Sequence, residues 1–184
     1  MKCLVFGIIV ASVLLFPNGL NGQSIQSVHI SVHVSSNPIS ITPGELVLDG
    51  LQSGTTYSTI PDGAGGLMLT PNDGAASVAS ATETVITGDI NSLILVSFVL
   101  PDRLYPSSGG VTGLVLARFT ENSAAWGPSG AENNYFNPKL PVQMSLDASG
   151  SVHLSLGGIF EVPASTGTNT YVGEALLVAQ YIGL

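Results

Sequence analysis

Apolar and polar positions alternate along most of this chain with the period of a β-strand. In "SVHISVHVSS" (27–36), Val28, Ile30, Val32 and Val34 fall on one face, and His29, Ser31 and His33 on the other. The same reading predicts strands over "GELVLDG" (44–50), "GGLMLT" (65–70), "TETVITG" (82–88), "SLILVSFVL" (92–100) and "GLVLARF" (113–119). It continues through "PVQMSL" (141–146), "SVHLSL" (151–156), "IFEVP" (159–163) and "YVGEALLVAQYI" (171–182). Turn-forming clusters stand between them: "PDGAGG", "PNDG", "PDRLYPSSGG", "DASG" and "STGTN".

Short strands at roughly ten-residue spacing, with no helical periodicity after the first residues, predict an all-β fold. The expectation is an immunoglobulin-like antiparallel β-sandwich of about 8–10 short strands. Its expected core draws on Val28, Ile30, Val32, Ile94, Val96, Phe98, Leu154, Leu156, Phe160, Leu176 and Val178. "TENSAAWGPSGAENNYFNPKLP" lacks a strand pattern and predicts a long loop over 120–140. That loop holds Trp126, Tyr135 and Phe136, too many aromatics for a disordered linker. They either plug one end of the sandwich or form a binding patch.

The N-terminus reads as a signal peptide over residues 1–22. Lys2 precedes the apolar run "CLVFGIIVASVLLF" (3–16), Pro17 ends it, and small residues follow up to Gly22. The run is short for a membrane span. Cleavage leaves 23–184 as one domain of ordinary size, with no membrane span in the mature form and no cysteine, since Cys3 is the only one. The formal charge of −8 then becomes about −9 with the loss of Lys2. Arg103, Arg118 and Lys139 are the remaining cations, too few to cover a phosphate backbone, so nucleic acid is excluded as a partner and anionic lipid is a poor one.

Candidate chemistry is sparse. His29 and His33 lie about 13 Å apart along one strand, beyond the span of two ligands on one ion, and adding His153 as a third ligand would need two sites or a bent strand, so the histidines read as solvent-facing or cross-strand. Asp62, Asp73, Asp102 and Asp147 sit at turns without the ligand spacing of a calcium loop. "GPSG" (127–130) is not a nucleophile elbow, and "DGAGG" (62–66) precedes no helix that would make it a phosphate loop. No catalytic residue, metal ligand or cofactor is assigned.

The segments "NPISITPGELVLDGLQSGT" (37–55), "GGLMLTPNDGAA" (65–76) and "VITGDINSLILVSFVLP" (85–101), with the tail "LDASGSVHLSLGGIFEVPASTGTNTYVGEALLVAQY", resemble the bacterial DUF4402 family of secreted, fimbria-like β-sandwich domains. The tail carries the likeness best, with Gly-Gly-x-Phe-x-Val-Pro followed by Tyr-x-Gly. The family's Leu-x-Phe-Gly reads Leu48-Asp49-Gly50 here, and the 120–140 segment is an elaboration. The resemblance implies a sandwich fold and a cell-surface setting, and transfers no site.

These observations lead to an exported, non-enzymatic structural protein of the periplasm, cell surface or extracellular space, of pilus-like or adhesive kind. The alternative is a carbohydrate- or polymer-binding module using Trp126, Tyr135 and Phe136. The segments 27–36 and 171–182 carry one formal charge between them, on Glu174, and edges this unguarded invite strand addition from another copy. The tail is expected to hairpin through "STGTN", with its final strand at or near a sheet edge. Gln23–Ser36 is then either the strand exchanged between copies or the first strand of its own closed sandwich. Intact-mass measurement of the exported protein should give a start close to Gln23; recovery of the full-length chain in membranes would refute the cleavage.

Overall fold

A computed structural model describes residues 37–71, 76–109, 114–167 and 170–182. The expected signal peptide over 1–22, the segment 27–36 with Val28, Ile30, Val32, His29 and His33, and Asp73 lie outside the described residues. All regular structure within them is β, and no helix there is long and apolar enough to cross a membrane.

The chain runs through β1 (Ser40–Thr42), β2 (Leu46–Asp49), β3 (Thr55–Pro61), β4 (Leu67–Thr70), β5 (Ser77–Ala81) and β6 (Thr84–Thr87). It continues through β7 (Leu93–Val99), β8 (Arg103–Pro106), β9 (Val115–Arg118), β10 (Ala124–Gly127) and β11 (Asn134–Phe136). Last come β12 (Val142–Ser145), β13 (Ser151–Leu156), β14 (Gly158–Val162), β15 (Tyr171–Val172) and β16 (Leu176–Tyr181). These segments outnumber the strands expected from spacing because β1, β3, β5, β10 and β11 lie outside the alternating runs, β8 forms within the "PDRLYPSSGG" segment read as a turn, and the run 171–182 divides into β15 and β16. The strands form sheets ordered β1-β6-β13-β10-β11, β12-β7-β16, β15-β8-β9-β14-β3-β4 and β2-β5. Each of their pairings is antiparallel.

Two apolar clusters fill the space between sheets. Ile86, Val152 and Leu154 from the five-stranded sheet meet Ile94, Val96 and Met144 from the three-stranded one. Phe98 and Phe136 join that contact, their ring centroids 6.2 Å apart. Tyr57, Val115, Phe160 and Val162 of the six-stranded sheet face Leu46 and Leu48 of the two-stranded one. Strand alternation accounts for the inward choice in β7, where Ile94 and Val96 are sealed and Leu93 and Val99 are exposed.

The last strand takes the face opposite to the one expected. Leu176 and Val178 are 60% and 58% exposed, while Leu177, Ala179 and Tyr181 pack inward. Both faces of β16 are largely apolar, so composition does not choose between them; pairing of Leu176 with Val99 and Val178 with Ser97 fixes the register. The tail also lacks the expected hairpin through "STGTN". β14 pairs with β3 and β9, and β15 pairs with β8. Among the described strands, β16 ends the order of its sheet.

The segment 120–140 is not one continuous loop. It holds β10 and β11, paired with Ala124 opposite Phe136 and Trp126 opposite Asn134. "AAWG" and "NYF" carry too little alternation to announce strands, yet Ala124 and Ala125 are sealed by the neighbouring strands.

The "DASG" turn forms between β12 and β13, but the run "MSLDASGSVHLSL", whose pattern suggests a hairpin, is not one: β12 pairs with β7 and β13 with β6 and β10, on different sheets. Asp147 organises the turn: Oδ1 accepts from Ser149 N (2.8 Å), Ser149 Oγ (2.6 Å) and Ser151 N (2.9 Å). The Ser149 hydroxyl first, then the Ser151 amide, hold this carboxyl down at about 2, below its ordinary 3.8. Its stabilising effect is therefore complete above pH 3.8 and disappears as the pH falls through about 2. The melting-temperature gap between the natural protein and Asp147→Asn should be constant near neutrality and close across that acid window; a gap independent of pH would disprove the assignment. Phe160 is buried, so Phe160→Ala is expected to destabilise by about 3–5 kcal/mol in denaturant unfolding.

Candidate functional site

The aromatic residues singled out by sequence do not share a surface. Trp126 and Phe136 turn toward the core beside Ile86 and Val152. Tyr135 points the other way and is 45% exposed, its hydroxyl donating to the Pro61 carbonyl at 3.1 Å. Trp126 also lines a shallow cleft of about 260 Å³ with Pro128, Asp147 and Val152, smaller than the usual ligand pocket. Strand alternation explains the split, since Phe136 and Tyr135 are successive residues of one strand.

A different constellation gathers on the outward face of the five-stranded sheet. His153 belongs to β13, between the inward-facing Val152 and Leu154, and lies opposite Val85 on one side and Gly127 on the other. Glu83 sits just before β6, in the link where the chain leaves the β2-β5 sheet. Glu132 follows the β10 turn and folds back over the sheet because Gly127 has no side chain: a Cβ there would run into the Ala131 backbone. One ligand-type atom from each of Glu83, Glu132 and His153 falls within 4.8 Å of the other two.

The three groups differ in environment. Glu83 Oε2 lies 2.5 Å from His153 Nδ1, with both side chains 18% exposed. Glu132 has no exposure at all. Its Oε1 accepts from Gly130 N at 2.9 Å, and its Oε2 is sealed with no N–H or hydroxyl donor. Burial first, then the adjacent Glu83 carboxylate, pushes the Glu132 carboxyl above the ordinary carboxylate range, against backbone donors that pull it down.

The turn Asp62–Gly66 forms the lid of this cluster. Asp62 Oδ1 accepts from Ala64 N (2.8 Å) and Gly66 N (2.9 Å), and Asp62 N donates to Gly66 O (3.0 Å). "DGAGG" is thus a tight turn, as its sequence indicates. It holds Gly65, at φ 82°, so close that a Cβ would collide with a Glu83 carboxylate oxygen and touch Glu132 Oε2. Chemically, a half-sealed carboxylate, a fully sealed one and an imidazole can share a proton or surround a cation.

Sequence reasoning considered His153 alone among the three. Glu83 and Glu132 are ordinary acids in ordinary context, and residues 83, 132 and 153 lie far apart in the chain. The one local hint is the glycine-rich turn above them. The chain matches no family model, and no curated protein or solved structure matches it.

Proposed function

We propose that the protein is an exported, non-enzymatic structural subunit with an immunoglobulin-like sandwich, joining copies of itself at the cell surface by strand addition along β16. The likeness to fimbria-like DUF4402 domains belongs to the same reading. The observation that carries it is the character of the edge: from Leu176 to Ile182 there is no charged residue. Leu176 and Val178 stand outward beside Val99, itself 64% exposed. Monomeric β-proteins commonly guard such an edge with Lys, Pro or a bulge.

The start of the described chain supports Gln23–Ser36 as the added strand. Asn37 O accepts from the Tyr181 hydroxyl at 2.9 Å, and Asn37 N donates to Asp89 Oδ1 at 3.2 Å. Asn37 thus lies beside the end of β16, and the strict alternation of the sequence that precedes it suits a strand laid on an edge. A binding module built on Trp126, Tyr135 and Phe136 has less support, because only Tyr135 faces outward.

Val178→Lys tests the proposal. It places a charge on an outward position and should change monomer stability by no more than about 0.5 kcal/mol. Light scattering on the mature protein should show concentration-dependent assembly that this substitution reduces at least tenfold. A natural protein that stays monomeric at its highest soluble concentration, or a Val178→Lys variant that assembles equally well, would sink the strand-addition reading and leave 23–36 as a strand of its own sandwich.

A further inference from the structure

We propose that Glu83, Glu132 and His153 bind one divalent transition cation of the zinc class. Three observations place the site. The ligand-type atoms converge within 4.8 Å from three separate chain segments. The fully buried Glu132 directs Oε2 into this cluster, and no N–H or hydroxyl donor satisfies that oxygen, whose polar neighbour is the Glu83 carboxylate. A buried carboxylate oxygen left this way is costly, and a cation is one of few groups able to satisfy it there. The third observation is the lid, where a side chain on Gly65 would occupy the space against Glu83 and Glu132.

Donor chemistry selects the ion. One imidazole nitrogen and two carboxylate oxygens form a mixed N/O set suited to zinc, whereas calcium requires six to eight oxygens and magnesium a near-ideal octahedron of them. Two carboxylates balance a dication, and among the described residues neither has a Lys or Arg ion pair. Around tetrahedral zinc, ligand atoms stand about 3.3 Å apart. Entry of the ion therefore opens the contact between His153 and Glu83 from 2.5 Å and draws the more distant atoms inward. Side-chain torsions supply that change at Glu83 and His153, while Glu132 is held at its other oxygen by Gly130 N. Water takes the fourth position.

Binding would tie the β5–β6 link, β13 and the turn after β10 into one unit. The test uses the mature protein with His29 and His33 changed to Gln, so that zinc capture by those two histidines does not enter. After removal of metal by chelator, calorimetric titration with zinc chloride should saturate at one ion per chain. The melting temperature should rise and return when EDTA is added, with no comparable response to magnesium or calcium. Glu132→Gln keeps the shape of the side chain, and with His153→Gln it should weaken binding at least tenfold while leaving the β-type circular dichroism spectrum intact. Cobalt(II) should give the visible absorption of a tetrahedral N/O site, lost in both variants. If either variant does not fold, the cobalt spectrum of the parent protein decides, and its absence overturns the proposal. Absence of saturable zinc binding overturns it too, as does equal binding by the two variants. A metal-free protein stabilised by Glu132→Gln and indifferent to zinc would identify the cluster as two carboxyl groups sharing a proton.

Discussion

The close passage of Gly157 and Gly158 over Thr59 allows two of the sheets to belong to one body. β13 and β14 are a single run of chain, paired with β10 in the five-stranded sheet and with β9 in the six-stranded one. At the crossing, Gly157 N donates to Ser123 O at 2.7 Å, while the buried Thr59 Oγ1 accepts from Gly158 N at 2.8 Å and reaches Gly158 O at 3.2 Å. A Cβ on Gly157 would strike the Thr59 carbonyl. Residues 119–123 turn opposite the two glycines, with Ser123 N donating to Thr120 O at 3.1 Å, so both partners leave one sheet and enter the other together. A second paired crossing joins β1–β2 to β5–β6, with Glu45 N donating to Thr82 Oγ1 at 2.7 Å and Thr82 N returning to Glu45 O at 2.8 Å.

With 9% of its residues charged, the protein rests little on ion pairs. Arg118 and Glu161 meet at 3.0 Å on an exposed surface, where such a pair contributes little. The two apolar clusters carry the fold, and buried polar groups are admitted where they are satisfied, as Thr59 is. Glu132 departs from that pattern. An ionisable group sealed against another carboxylate works against the folded state unless a proton or a cation neutralises it, so the cluster has a cost that packing elsewhere must cover. Such a cost, placed beside a lid made of glycines, distinguishes it from the acids scattered over the turns.

How much of this is legible in the sequence depends on how the two faces of each strand differ. "SVHLSL" and "PVQMSL" alternate cleanly, and Val152, Leu154 and Met144 are indeed buried. β16 is apolar on both faces, so its pattern declares a strand without saying which side faces in. β10 and β11 escape notice because "AAWG" and "NYF" are too short, and mix small, polar and aromatic residues too irregularly, to show a countable period, although Trp126 and Phe136 pack against the core. The cluster was illegible for a different reason. Its members are brought together by the sheet crossings and by a missing side chain at Gly127, and neither leaves a spacing that can be counted along the chain.

Tyr181 adds a mechanical dimension. Its hydroxyl donates to Asn37 O and accepts from Asp89 N at 2.7 Å, so the beginning and the end of the described chain meet at one atom. Among the described strands, those nearest these ends, β1 and β16, each border their sheet. Tension applied between residues 37 and 182 would therefore load this corner first and peel each border strand one hydrogen bond at a time, the weakest direction in which a sheet can be pulled. A strand clamped along β16 would turn that peeling into shear, spreading the same load over many bonds at once.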